Sequence, residues 1–213
     1  KLRNGQIPDV PNIKQARRIT GPLSDIAHLN PSSRKELVQL IHNRANYHGI
    51  DPNLSVAVAT AESSLNVMAV SKDGFDTKGL FQLKDTTGQD MLNHFSMAGV
   101  QYEPFDPKLN THLGTGYLKY LFEIFNQPTQ IATNLKTYSA NSATDLEKFA
   151  VAAFNTGQGN VAKAQQRAIR EGKDPGNFSS VETYISPQTR QYVSRVMALR
   201  EGFQTDSNLN LQV

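Results

Sequence analysis

The chain has no cysteine, so disulfide frameworks and thiolate metal sites are excluded at the outset. Its five histidines, His28, His42, His48, His94 and His112, follow no HExxH or comparable ligand spacing, and no metal or cofactor is expected. There is no Walker loop, no GxGxxG and no serine in a GxSxG elbow, so nucleotide cradles and the serine-hydrolase architecture drop out. Long apolar runs are missing as well. Phe149 to Phe154 is among the longest, far short of the roughly 20 residues a transmembrane helix needs. No internal repeat, heptad run or low-complexity tract occurs. The chain starts at Lys1 with neither an initiator Met nor a signal-like apolar segment, as expected of a processed or trimmed product.

What is present suits one globular core. At 213 residues and 23.5 kDa, with 38% hydrophobic and 8% aromatic residues, one domain with extensions is expected. The net charge of +3 and pI near 9.1 fit an anionic polymer but are too small to point to nucleic acid. Residues 1–31 hold four prolines and two glycines and read as an extended leader with at most one short helical turn near Ile13 to Ile19. Helices are predicted from the Ser33 to Glu36 capping box to Gly49, from Asp51-Pro52 to about Ser64, and from Thr86 to Met97. Further helices are predicted from Asn110 or Thr111 to Asn126, from the Thr144 to Glu147 capping box to Asn155, from Asn160 to Glu171, and from Ser186-Pro187 to near Gly202. Gly79 to Leu83 reads as a short extended piece or a loop. Residues 127–143 are polar and loop-like, and residues 204–213 read as a loose tail. Gly114 and Gly116 sit within a helix, where each costs on the order of 1 kcal/mol relative to Ala, which implies close packing against a neighbour. Lys163, Arg167 and Arg170, three and four apart, read as a solvated face.

Glu62 stands out. It lies four residues after Val58 and eight after Leu54 on a helix whose apolar stripe is Leu54, Ala57, Val58, Ala61 and Leu65, so its carboxylate leaves from the edge of the buried face. A glutamate near a helix end is ordinarily a solvated surface residue. A carboxyl held against apolar walls instead favours its protonated form, and such an acid is what protonation of a glycosidic oxygen needs. The next acids, Asp73 and Asp76, lie in a turn-rich segment and read as turn formers. One acid is left for the chemistry.

Five separated blocks, in this order, resemble the lytic transglycosylases of the soluble-transglycosylase type. They are Glu62-Ser63 with Ser71; Gly79-Leu80-Phe81-Gln82-Leu83; Phe105-Asp106-Pro107 followed by Gly114 and Gly116-Tyr117-Leu118; Ala152 to Gly159; and Pro187 to Val193. The resemblance spans roughly residues 33 to 201. It implies a mainly α, lysozyme-like two-lobed helical domain with little or no β-sheet over residues 32–203, between the leader 1–31 and the tail 204–213, with Glu62 at the floor of a cleft.

The resemblance also implies the chemistry. A single glutamate, Glu62, would protonate the leaving oxygen between N-acetylmuramic acid and N-acetylglucosamine, then take the proton of the muramoyl C6 hydroxyl as a 1,6-anhydro ring closes. Ser71 is expected to hydrogen-bond near the Glu62 carboxyl. Gln82 and Asn155 are expected to orient sugar groups, Tyr192 to present its hydroxyl, and Ser63, Phe81 and Phe154 to line the substrate site. The corresponding structural readings are a turn serine, a loop glutamine, a helix C-cap asparagine and a packed tyrosine. The chain departs from the family at Phe154, where tyrosine is usual, at Gln188, where glutamate is common, in a longer path from Ser71 to Gly79, and in a longer 127–143 segment. The implied partners are peptidoglycan glycan strands, with a secretion, pilus or flagellar assembly as a candidate host. The implied location is the bacterial periplasm or envelope, and no nucleic acid is implied. A goose-type-like lysozyme, which admits water, and a non-catalytic glycan-binding or scaffold module remain as alternatives.

Overall fold

The computed structural model describes residues 21–72 and 74–210, with side chains described between 23 and 205. The expected turn at Ile13 to Ile19, and Asp73, lie outside the described residues. Eight α-helices and two small two-stranded antiparallel sheets make up the described part, so the fold is mainly α. The chain divides into two compact units, with the boundary between Tyr117 and Leu118, inside one helix.

In the first unit, α1 (Arg34–His48) opens on a complete capping box between Ser33 and Glu36 and closes on a left-handed Gly49. Helix α2 (Pro52–Ser63) starts where the Asp51 carboxylate accepts from the Asn53 backbone N–H, with proline in the first turn. Both follow from cap chemistry that needs no tertiary help. The two helices pack together, and Leu40, Ile41, Leu54, Ala57 and Val58 are completely buried.

Part of the expected leader is structured. Residues Gly21–Ile26 form a 3-10 helix, Ile26 is buried, and Asp25 forms an ion pair with the buried Arg44 of α1. Lys108 donates to the Ala27 carbonyl at 3.1 Å. An apolar anchor with an ion pair on one side and a hydrogen bond from Lys108 on the other fixes this short segment where composition alone pointed to an extended one.

A hairpin follows. Strands β1 (Thr77–Lys78) and β2 (Leu83–Lys84) pair in the register Thr77 with Lys84 and Lys78 with Leu83. Of the stretch read as a short extended piece or a loop, Gly79 to Gln82 form the turn of that hairpin and Leu83 opens β2. Helix α3 (Asp85–His94) leads on from it.

Helix α4 runs Pro107–Asn126 and starts three residues earlier than predicted. The Asp106 carboxylate accepts from the backbone N–H groups of Lys108 and Leu109 at 2.8 and 3.3 Å, so Asp106-Pro107 repeats the cap of Asp51-Pro52. Asn110 and Thr111 are therefore interior helix residues, both fully buried. The expected close packing at the two glycines is present: a Cβ on Gly114 would collide with Phe81, and one on Gly116 with Phe95. His48 and His112 form a buried pair, with Nε2 of the former 3.2 Å from Nδ1 of the latter.

The second unit is built around Phe149 of α5 (Ala143–Thr156), whose buried ring lies between Phe125 at 5.7 Å and Phe178 at 5.2 Å. The cap of α5 is Ser142, which accepts from Asp145 N–H, and not the predicted Thr144. Helix α6 spans Gln158–Arg170, and α7, Phe178–Val181, leads into a 3-10 turn at Glu182–Tyr184. Helix α8 begins at Pro187 as predicted but continues past Gly202 to Asn210.

The polar segment 127–143 contains a small hairpin of β3 (Gln130–Ala132) and β4 (Leu135–Lys136). Buried Gln165 of α6 holds its exit, accepting from Tyr138 N–H at 3.0 Å and donating to the carbonyls of Tyr138 and Pro175 at 3.0 and 2.9 Å. One glutamine thus satisfies backbone groups that a loop of this length would otherwise bury unpaired.

Candidate active site

Glu62 occupies the last turn of α2 and is half-buried. The helix stops two residues later at Ser64, in a left-handed conformation with φ 56°, followed by Leu65 at φ 62°. Two successive non-glycine residues with positive φ are uncommon and cost stability locally. The apolar stripe explains how this ending is held: Leu65 is buried while Ser64 is exposed.

The neighbouring Ser63 is tied down. Its hydroxyl lies 2.8 Å from the Leu80 carbonyl and 3.1 Å from the Ala59 carbonyl, so the end of α2 is bonded directly to the hairpin turn. The hydroxyl expected to face substrate holds backbone instead.

The turn itself is a wired frame. Gly79 has φ 78°, and a Cβ there would run into the Pro104 carbonyl and the Asn110 amide, so only glycine fits. The buried Asn110 side chain accepts from Phe81 N–H at 2.9 Å and donates to the Lys78 carbonyl at 3.2 Å, clamping the turn from α4. Gln82, at φ 45°, donates through Nε2 to the carbonyls of Ala69 and Gly79 at 3.0 and 2.9 Å and accepts at Oε1 from the Thr77 hydroxyl at 3.0 Å. Thr77 N–H in turn donates to Ser71 Oγ at 3.0 Å, and Ser71 N–H to the Thr77 carbonyl at 3.0 Å.

One expected contact is corrected and another narrowed by this geometry. Phe81 is 0% exposed, packed against Gly114, and its ring belongs to the core. Both amide hydrogens of Gln82 are already donated within the frame, which leaves only oxygen lone pairs for a sugar. Thr77 and Asn110 were not foreseen as site residues. The signal for Asn110 was the Asp106-Pro107 cap, which moves it from a helix end to a buried interior position. Thr77 gives no signal before the hairpin register is known.

In the second unit, Asn155 is exposed at the end of α5 and Phe154 is half-buried beside it. Asn155 Oδ1 accepts from the Thr189 hydroxyl at 2.9 Å, which in turn accepts from Ser186 Oγ at 2.9 Å. This relay fixes the rotation of the Asn155 amide and leaves its NH2 group facing outward as a donor. Tyr192 is only 6% exposed, with the Arg195 guanidinium 5.7 Å from its ring. Among the described residues no group of histidine and carboxylate side chains could hold a metal ion.

The sequence profile of the Transglycosylase SLT domain matches residues 39–176. The chain belongs to that family. The chain is also 30% identical over 190 residues to the membrane-bound lytic murein transglycosylase C of Photorhabdus laumondii, covering 83% of this chain and 48% of that protein. It is 33% identical over 146 residues to the membrane-bound lytic murein transglycosylase F of Desulfosudis oleivorans, covering 68% of this chain and 27% of that one. The chain thus spans about half the length, or less, of these curated relatives. Its fold matches the 70 kDa soluble lytic transglycosylase of Escherichia coli with a TM-score of 0.57 at 24% identity, over 80% of this chain and 24% of that one. It also matches an inactive mutant of lytic transglycosylase Slt from Pseudomonas aeruginosa with a TM-score of 0.60 at 22% identity, over 84% and 25%. The SLT match ends before α8, so the Thr189 relay and Tyr192 lie beyond it.

Proposed function

We propose that this SLT domain is a lytic transglycosylase that cleaves the β-1,4 bond between N-acetylmuramic acid and N-acetylglucosamine in peptidoglycan. The observation that carries the reading is the placement of half-buried Glu62 at the end of α2, where Ser63 bonds that helix end to a fully hydrogen-bonded hairpin turn. A carboxyl shielded from water and held on a rigid frame can act as acid and then as base without a second carboxylate.

Glu62 protonates the bridging oxygen, and the bond to the muramoyl C1 breaks. The resulting carboxylate takes the proton of the C6 hydroxyl as its oxygen bonds to C1. One 1,6-anhydro end forms, and no water is consumed. Ser71 accepts from Thr77 N–H and keeps its own proton to donate; Asn155 offers its amide NH2 to a sugar oxygen. The catalytic part is residues 32–203. The curated relatives carry names of membrane-bound murein transglycosylases, which supports a place in the bacterial cell envelope or periplasm. A secretion, pilus or flagellar assembly is the candidate host.

Purified sacculi digested with the wild type should yield anhydro-muropeptides, lighter by one water than hydrolysis products. Glu62→Gln should lower turnover on the order of a thousandfold while the fold is retained. Products heavier by one water would mean a lysozyme. Glycan binding with no turnover in the wild type would mean a binding module.

A further inference from the structure

One peptide unit in the hairpin turn is gripped from both sides. The carbonyl of Leu80 accepts from the Ser63 hydroxyl at 2.8 Å, and the N–H of Phe81 donates to the Asn110 side-chain oxygen at 2.9 Å. These two groups belong to the same peptide bond, a stiff plane whose C=O and N–H point in opposite directions. Leu80, Phe81 and Asn110 are each 0% exposed, so a group released from either bond would be left buried and unsatisfied.

Helix α4 builds one side of this grip. Asn110 and Gly114 are four residues apart and share one face of the helix. The Asn110 side chain holds the peptide N–H and also donates to the Lys78 carbonyl at 3.2 Å. Gly114 makes room for the Phe81 side chain, since a Cβ there would meet its Cβ and Cγ. One face of α4 thus sets both where the peptide lies and how it is turned.

The end of α2 stands on the other side. Ser63 follows Glu62 directly, and its hydroxyl is shared between the Ala59 carbonyl inside the helix, at 3.1 Å, and the Leu80 carbonyl outside it. The helix then breaks off into Ser64 and Leu65, both at positive φ, an ending that persists only where its surroundings hold it. The Leu80 carbonyl is part of that hold, and Asn110 fixes the peptide that carries it.

We propose that Asn110 is a positioning residue for the acid, setting the place of Glu62 through the Leu80–Phe81 peptide and Ser63. The inference rests on the reading above, in which Glu62 moves a proton twice. Such a transfer tolerates little misplacement, and an error of about 1 Å can cost roughly a hundredfold. Asn155 lies in the second unit and is not part of this relay, so the effect falls on kcat and spares KM.

The test compares Asn110→Ala, Ser63→Ala and their combination with Ser33→Ala, which removes the α1 cap in the same unit and serves as the stability control. Turnover of sacculi per folded molecule should fall about tenfold in each of the first two, with KM within about twofold of wild type. The combination should also fall about tenfold and not roughly a hundredfold, because both changes release the same peptide. Ser63→Thr keeps the hydroxyl and should stay near wild type, and Ser33→Ala should leave kcat unchanged. A second readout needs no turnover. The carbon-13 carboxyl resonance of Glu62, identified by its loss in Glu62→Gln, should move in Asn110→Ala and Ser63→Ala and stay in place in Ser33→Ala. Asn110→Ser, whose side chain falls short of Phe81 N–H, carries both readouts if the alanine variant does not fold. An unmoved resonance, additive losses in the combination, a raised KM with kcat kept, or an equal loss of kcat in Ser33→Ala would each overturn the inference. A wild type that makes no anhydro product while the resonance moves as expected would count against the proposed function and leave the relay standing.

Discussion

The first unit bonds the polar side chains of its hairpin turn to the chain around them, whereas the second leaves Asn155, Lys163 and Arg170 exposed. Ser63, Gln82, Thr77 and Asn110 all bond to the chain around the hairpin turn. Asn155 is turned outward by a relay behind it, and Lys163 and Arg170 line an open groove. The lesson is that a motif residue near an active acid need not touch the ligand. Some motif residues build the frame, and others, in a different part of the chain, are the ones exposed for contacts.

Acid should separate the two units most strongly. All five histidines precede residue 118. Burial lowers His94 to about 4, and burial, together with the neighbouring His48 and Arg44, pushes His112 well below its usual range. Between pH 6.5 and 4 the unfolded chain takes up protons that these folded histidines refuse, so stability falls as pH falls. For His94 alone the full effect is as much as about 3 kcal/mol. Glu123, in the second unit, is shifted the other way: burial raises it despite the ion pair with Lys119 at 3.1 Å. Its folded form resists ionisation, so its cost applies above the usual carboxylate range and is relieved as pH falls. Hydrogen exchange, corrected for intrinsic rates, should show protection lost first in residues 34–117 on going from pH 7 to 4. His94→Gln should flatten that loss, and uniform loss in both units would break the contrast.

Next in size is Gln82→Ala, which removes three side-chain hydrogen bonds while the Ala69 and Gly79 carbonyls each keep a backbone N–H; a loss of about 2 kcal/mol is expected together with reduced turnover per folded molecule. Thr77→Val deletes only the bond to Gln82 Oε1, and about 1 kcal/mol should go with it. Thermal melts and activity on sacculi measure both. Stability unchanged in Gln82→Ala with turnover lost would make it a ligand contact after all. Asn155→Ala is the smallest in stability, within about 0.5 kcal/mol because the residue is exposed, yet turnover should fall through KM. A large melting shift there would put Asn155 among the frame residues.

Much of this was legible beforehand because it is local. The caps at Ser33, Asp51 and Gly49 and the stripe that places Glu62 depend on residues within one or two turns. The site frame was less legible because it is not local. Phe81 looks like a cleft aromatic until Gly114, 33 positions later, meets its ring, and Gln82 looks free until the hairpin register brings Thr77 to it. The stripe of Lys163, Arg167 and Arg170 reads as a solvated face and is one, since all three residues are exposed; that segment 184–186 lines a groove with it is not predictable from helix periodicity. Tyr192 was assigned by resemblance, and its burial comes from tertiary packing.

The Asn110 clamp also has a consequence for the order in which the molecule assembles. Its bond to Phe81 N–H joins positions 29 residues apart, so the turn cannot settle until α4 has docked, and closing that chain costs entropy first. The turn is then a late element, absent from the rate-limiting transition state. Asn110→Ala should speed unfolding by most of its full destabilisation and leave the refolding rate nearly unchanged, as a chevron analysis would read. A turn completed last in folding is also the first element given up in unfolding, however rigid it is in the native state.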